Sequence, residues 1–143
     1  MRAGLASIAV GMALTASACG ELTRDPDGTL ERVRATHVIR LGEVAGAPED
    51  AAAKAALARV AAANGARIAR RSGHGEELLE ALKEGELDLV YGHFAEDSPW
   101  SAKVHIGKPP GSAEPPPKSQ RAARFAFAMG ENGWITAVED AHK

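Results

Sequence analysis

The feature that most restricts this chain is an alternation of short β-branched runs with helix-spaced runs, each punctuated by glycine. His37-Val38-Ile39-Arg40-Leu41-Gly42 is a compact apolar run ended by glycine, as a short strand is. Pro48 follows where a first helical turn tolerates it, and Glu49 and Asp50 sit near the positive end of the helix dipole. Residues 49–64 then bring Ala53, Ala56, Leu57, Val60 and Ala61 to one face, and Asn64-Gly65 supplies a left-handed cap. Arg67 to Arg70 reads as a second, edge-like strand. Leu78, Leu79 and Leu82 repeat the helical spacing over Glu76 to Glu84, Gly85 closes that helix, and Leu87 to Gly92 reads as a buried strand ended by glycine. Strands alternating with helices of this length predict an α/β layer with parallel strand pairs. The expectation is a single three-layer α/β lobe over 37–143, with strands near 38–42, 87–92 and 124–129 in one sheet.

Before this pattern begins, the chain carries a different kind of segment. Arg2 is followed by a short apolar stretch through Leu14, the charge and length pattern of a secretory signal. The stretch is shorter than the roughly 20 apolar residues that span a bilayer. Leu14-Thr15-Ala16-Ser17-Ala18-Cys19-Gly20 resembles the lipobox of bacterial lipoproteins, with small residues ahead of a cysteine that becomes the new N-terminus. The lipobox favours Leu where this chain has Ala16, and Ala16-Ser17-Ala18 also fits the A-x-A rule of ordinary signal peptidase, so plain secretion stays open beside lipidation at Cys19. The resulting expectations are a signal peptide over 1–18 and a lipid-anchored linker over 19–36. That linker is charged and turn-rich around Asp25-Pro26-Asp27-Gly28, with a short helical turn near Thr29 to Val33. Gly20 carries no acidic retention signal, so the implied address is periplasmic, at the outer membrane, with a soluble secreted form as the alternative.

Charge and cysteine content remove several function classes. The formal net charge of −2 becomes −3 when Arg2 leaves with the signal, so nothing points to nucleic acid. Cys19 is the only cysteine, which excludes an intramolecular disulfide and a cysteine-based metal site. His37, His74, His93, His105 and His142 fit no metal-ligand spacing, and no metal or other cofactor is expected. The glycines of Arg71-Ser72-Gly73-His74-Gly75 are not followed by the Lys-Ser or Lys-Thr pair of a phosphate loop. They read as a turn into the second helix, with Ser72 as a candidate cap. No nucleophile stands at a telling distance from a base, and no enzyme is expected.

Several segments, taken in order, carry a resemblance. Leu82-Lys83-Glu84-Gly85-Glu86-Leu87-Asp88-Leu89-Val90-Tyr91-Gly92, then Ser98-Pro99-Trp100, then Val104-His105-Ile106-Gly107-Lys108-Pro109, resembles the "aLxxGelDlviggl…tpeRakkvdfSdPy" stretch of family 3 periplasmic solute-binding proteins. The strand at Val38 to Gly42 resembles their opening "LrVGv". Phe125 to Asn132, with Trp134, Ile135 and Val138, resembles their returning strand and helix. The resemblance implies a type 2 periplasmic-binding-protein-like fold and a role like that of the substrate-binding components of ABC transporters.

Two departures modify what the resemblance implies. In the family a second lobe lies between the "SdPy" segment and the returning strand, and solute is held between the lobes. Here only Pro110 to Ala123 fills that interval, a proline-rich polar spacer that cannot contain a domain, so the implied fold is one lobe. Amino-acid binders of the family also place an arginine at "tpeR", whose planar fork pairs with a carboxylate, and here Trp100 holds that place. The stacking aromatic after the first strand is missing from Glu43-Val44-Ala45-Gly46-Ala47.

Ligands of open α/β sheets sit beyond the carboxyl ends of the strands. That rule makes Glu43, His93, Phe94, Ser98 and Trp100 the candidate ligand-binding residues, with Gly46 beside them. Trp100 is either a binding anchor or a core-packing aromatic, and Glu43 either a site acid or a solvated one. Two function classes follow. One is an exported, lipid-anchored module that binds a small-molecule solute or a partner protein through one lobe, with a homodimer as a way to supply the missing wall. The other is a scaffold or protein-interaction lipoprotein that has lost its ligand site. Free α-amino acids are not expected to bind a lone lobe as tightly as they bind a transport receptor.

Overall fold

The computed structural model describes residues 25–143, so Cys19 and the leader lie outside the described residues. Along the chain run α1 (Thr29–Thr36), β1 (Val38–Val44), α2 (Ala51–Ala63), β2 (Arg67–Gly73), α3 (Gly75–Lys83) and β3 (Leu89–Phe94). A 3₁₀ turn (Pro99–Ala102), β4 (Val104–Ile106), β5 (Ala122–Ala128) and α4 (Asn132–Asp140) complete it. The strands form one sheet in the order β2-β1-β3-β5-β4. β1 runs parallel to β2 and β3, and β5 runs antiparallel to β3 and β4. The three strands expected to share a sheet do so. Among the described residues no helix is long and apolar enough to cross a membrane.

The alternation of side chains along each strand divides the core in two. Ile39, Leu41, Leu89, Phe125 and Phe127 pack against Val33 of α1, Ala56, Leu57 and Val60 of α2, and Trp134 and Val138 of α4. Val90, Val104, Ile106 and Ala126 face the other way, against Leu78, Leu79 and Leu82 of α3. The sheet is thus the middle of three layers. α2 starts where Asp50 accepts the Ala53 N–H at 2.8 Å, which satisfies one of the donors left over at a helix N-terminus. It ends at Gly65, whose φ of 56° is the left-handed geometry that glycine adopts freely.

Three expectations need correction. Gly42 and Gly92 do not end their strands, which continue to Val44 and Phe94. They are glycines of close approach. A Cβ on Gly42 would lie 2.8 Å from Leu87 Cδ1, and one on Gly92 would lie 2.8 Å from both the Phe94 ring and Val44. Ser72 lies in β2 opposite Glu43 and does not cap α3, whose N-cap is His74.

The third correction concerns the tether expected over 19–36, because from Asp25 onward the chain belongs to the lobe. Val33 is fully buried among the residues of α2 and α4. The buried Glu131 accepts the backbone N–H groups of Asp27 at 2.6 Å and Thr29 at 3.1 Å. Asp25 accepts from Leu30 N–H at 2.8 Å and Trp134 N–H at 3.1 Å. An eight-residue helix is unstable alone, and the distant Glu131 together with the nearby Asp25 satisfies donors at its start. Residues 107–121 form neither helix nor strand. They begin with Pro109 and Pro110 buried, and at Gly111 they cross the first turn of α2, where an added Cβ would meet Ala52 at 2.8 Å.

Candidate functional site

The connections of β1 and β3 leave the sheet in opposite directions. β1 passes through α2, on one face, to β2; the chain then crosses through α3, on the other face, to β3 on the far side of β1. The carboxyl ends of β1 and β3 therefore flank a topological switch point, where open α/β sheets place their ligands. Glu43 and Tyr91 are register partners at that point. Between them and the start of α2 lies an open cleft of about 420 Å³, counted out to its solvent-facing mouth.

Its floor is Leu41, Ala53, Leu57 and Phe125, and its walls carry Glu43, Glu49, Asp50, Lys54, Arg70 and Tyr91. Each polar group is positioned by its element. Arg70, on the edge strand, forms an ion pair with Glu43. Tyr91 donates its phenolic proton to the Pro48 carbonyl at 2.6 Å and so ties β3 to the β1–α2 loop. Lys54 and Glu49 approach to 3.6 Å at the exposed rim, a pair that contributes little because water screens it. Three carboxylates face two cations, and the local field is negative. Burial first, then Asp50, Glu49 and Glu43, push the Tyr91 phenol above its usual range. An apolar floor with an aromatic wall and an excess of negative charge favours an organic cation over an anion.

Of the five residues expected to form a site, only Glu43 lines this cleft. β3 runs on to Phe94, so His93 and Phe94 alternate across the sheet and do not share a loop. His93 lies on the Tyr91 side, edge-on to that ring at 6.5 Å, and its Nε2 is buried with no partner among the described residues. Phe94 and Trp100 pack on the opposite face against the α3 cluster. Lys103 Nζ stands 5.1 Å over the Trp100 ring, and Ser98 accepts the Trp100 N–H at 3.3 Å. The structure therefore brings Glu43 and His93 to one face, and Phe94 and Trp100 to the other. Sequence reasoning missed Asp50, Arg70, Tyr91 and Phe125. The available signal was parity, since residues 41, 43, 89 and 91 fall on one face once β1 and β3 are paired. Among the described residues no group of three or more His, Cys, Asp or Glu could hold a metal ion.

No protein-family model matches the sequence, and no curated protein matches it in sequence. Solved structures do share the fold. The arginine-bound form of domain 1 from TmArgBP superposes with a TM-score of 0.63 at 11% identity, over 78% of this chain and 95% of that one. An ancestral cationic amino acid solute binding protein gives 0.62 at 12% identity, over 80% and 92%. The substrate binding protein of an amino acid ABC transporter gives 0.57 at 10% identity, over 73% and 91%. The chain has the fold of a solute-binding-protein lobe, and the match to an isolated domain is to nearly all of that domain.

Proposed function

We propose that this chain is an exported, lipid-anchored binding module whose single lobe holds a small organic cation with an apolar body. The observation that carries this reading is the switch-point cleft, in which Glu43 stands beside Tyr91 over an apolar floor and carboxylates outnumber cations. Arg70 already partners Glu43, so an entering guanidinium or ammonium competes with Arg70 for that carboxylate or turns to Asp50 and Glu49. The described likeness to an arginine-bound domain and to a cationic amino acid solute binding protein supports the same ligand class. The first of these is an arginine-bound form of a single domain. A cleft open on one side still leaves part of the ligand hydrated, so binding weaker than micromolar is expected of a monomer. A second copy or a partner protein would supply the other wall. Binding, and not catalysis, is the role read here.

The anchor belongs to the same proposal. With Cys19 lipidated and Asp25 bound to Trp134, the five residues between them span at most roughly 20 Å, which holds the lobe close to the membrane on its periplasmic side. Substituting Cys19 by Ser is expected to abolish palmitate labelling and release the protein from the membrane fraction. A variant that fractionates as the parent does, with no palmitate labelling of the parent, would overturn the lipobox reading and leave plain secretion.

Thermal unfolding of the full chain with agmatine, L-arginine and L-glutamate tests the binding reading, since a ligand at a hundred times its Kd stabilises by about 2.7 kcal/mol. Agmatine and L-arginine are expected to raise the midpoint and L-glutamate to leave it. Agmatine should act at least as strongly as arginine, because the carboxylate fork is absent at Trp100. No response to any cation would favour the scaffold reading, to which the packed Trp100 already lends some support.

A further inference from the structure

Arg124 is only 1% exposed, although arginine is almost never fully buried without a partner. Its place opposite Gly92 in β5 turns it toward the α3 layer, away from Phe125 and the cleft. Nη1 donates to the Gly107 carbonyl at 2.9 Å and stands 3.9 Å from Glu96 Oε2. Nε and Nη2 are buried with no partner among the described residues. Those two nitrogens share one edge of the guanidinium plane, the fork that grips both oxygens of a carboxylate. Arginine side chains stay charged in proteins, and Glu96, at 3.9 Å from Nη1, leaves the Nε/Nη2 edge of this buried charge without an acceptor, which is unfavourable. The unfilled edge therefore calls for an anion whose oxygens match the fork.

The surroundings offer a way in. Gly107, whose carbonyl Arg124 holds, opens the proline-rich strap 107–121. The far end of that strap is fastened beside Arg124 by two slight contacts, Asp97 N–H to the Lys118 carbonyl at 3.2 Å and Lys118 Nζ to Glu96 at 3.6 Å. In that ion pair Lys118 is exposed and Glu96 half-buried. We propose that the Nε/Nη2 edge of Arg124 is a carboxylate-binding site, entered when Lys118 and Glu96 part and the end of the strap lifts. Its ligand is a small monocarboxylate or the carboxylate end of a larger solute. Glu96, placed against Nη1 and not against the fork, is the gate and the competitor.

The test is thermal unfolding of the full chain, and of Arg124→Lys and Glu96→Gln, in sodium formate and in sodium chloride of equal ionic strength. Formate is expected to raise the midpoint saturably in the parent, with half-saturation about tenfold lower in Glu96→Gln, where the gate has lost its charge. Arg124→Lys keeps a positive charge but no fork and should lose the formate-specific part. Equal effects of formate and chloride in both the parent and Glu96→Gln would overturn the site, as would an undiminished formate response in Arg124→Lys. Should Arg124→Lys fail to fold, Glu96→Gln decides alone, because it keeps the shape of a half-buried side chain and removes only its charge: a formate half-saturation no lower than in the parent would overturn the proposal.

Discussion

Asp88 is a buried carboxylate through which three elements meet. It pairs with Arg32 of α1 and with Arg40 of β1 at 2.8 Å, accepts the Arg40 backbone N–H at 2.7 Å, and through its own carbonyl accepts Trp134 Nε1–H at 2.8 Å. Removing one partner of such a cluster leaves groups unpaired that folding has already taken from water. Asp88→Ala is therefore predicted to destabilise the lobe by about 3 kcal/mol in urea unfolding, and a loss within error would show the cluster to be neutral. His142 makes a second, pH-dependent prediction. Its ring lies 6.3 Å from Phe125 with Nε2 buried, and burial lowers its pKa, opposed by Glu139 and aided by Arg59. The unfolded chain then takes up the proton at higher pH than the folded one. This contribution to stability is full above the ordinary histidine value of about 6.5 and is lost as pH falls through the lowered folded value. His142→Gln should flatten that part of the fall in melting temperature, and an unchanged pH profile would refute the assignment. At this scale Gly42 and Gly92 were visible in the sequence as special, but not for their actual reason. Terminating and close-packing glycines look alike until the side chains that press on them, Leu87, Val44 and Phe94, are placed.

Elements whose causes are local were legible. The Ala and Leu spacing of α2 and α3, and the glycines after them, locate both helices to within two residues, because helical period and capping act within a few positions. α1 was not legible as part of the lobe, since what orders it comes from Glu131 and Asp88, far along the chain. A charged stretch beside Asp-Pro-Asp-Gly looks the same whether it is a tether or a helix held by remote carboxylates. Truncation separates the two. A chain begun at His37 loses Val33 from the core and leaves Glu131 buried without donors, so it is predicted to unfold at markedly lower urea concentration or without cooperativity. A tether would be dispensable, and an unchanged midpoint would restore that reading. β3 gives the same lesson in reverse. Its existence was plain from Leu89 and Val90, but its end at Phe94 was not, and that shift of two residues separates His93 from Phe94 and scatters the expected site.

For the molecule as a whole, the alternating pattern was enough to give a three-layer α/β lobe, whereas the cleft required the strand order. Leu41, Asp50, Arg70, Tyr91 and Phe125 come from five separate segments, and no spacing rule joins them before β1 is known to lie between β2 and β3. That no lobe-sized insert lies between β4 and β5 was legible, because the interval from Pro110 to Ala123 is too short to hold one. What this lobe does with its open cleft is the central question, and the chain carries its own reporter. Tyr91 is the only tyrosine, and its phenol lies in the cleft wall, where burial and the carboxylates of Asp50, Glu49 and Glu43 hold its pKa above the ordinary value of about 10. A cation bound beside it opposes that field and favours tyrosinate. The deciding measurement is the tyrosinate absorbance titration of the full chain with and without saturating agmatine. The midpoint is expected above the ordinary value and is expected to move down further with agmatine than with sodium chloride of equal ionic strength, which only screens the carboxylates. A midpoint that agmatine moves no further than sodium chloride does would contradict the account.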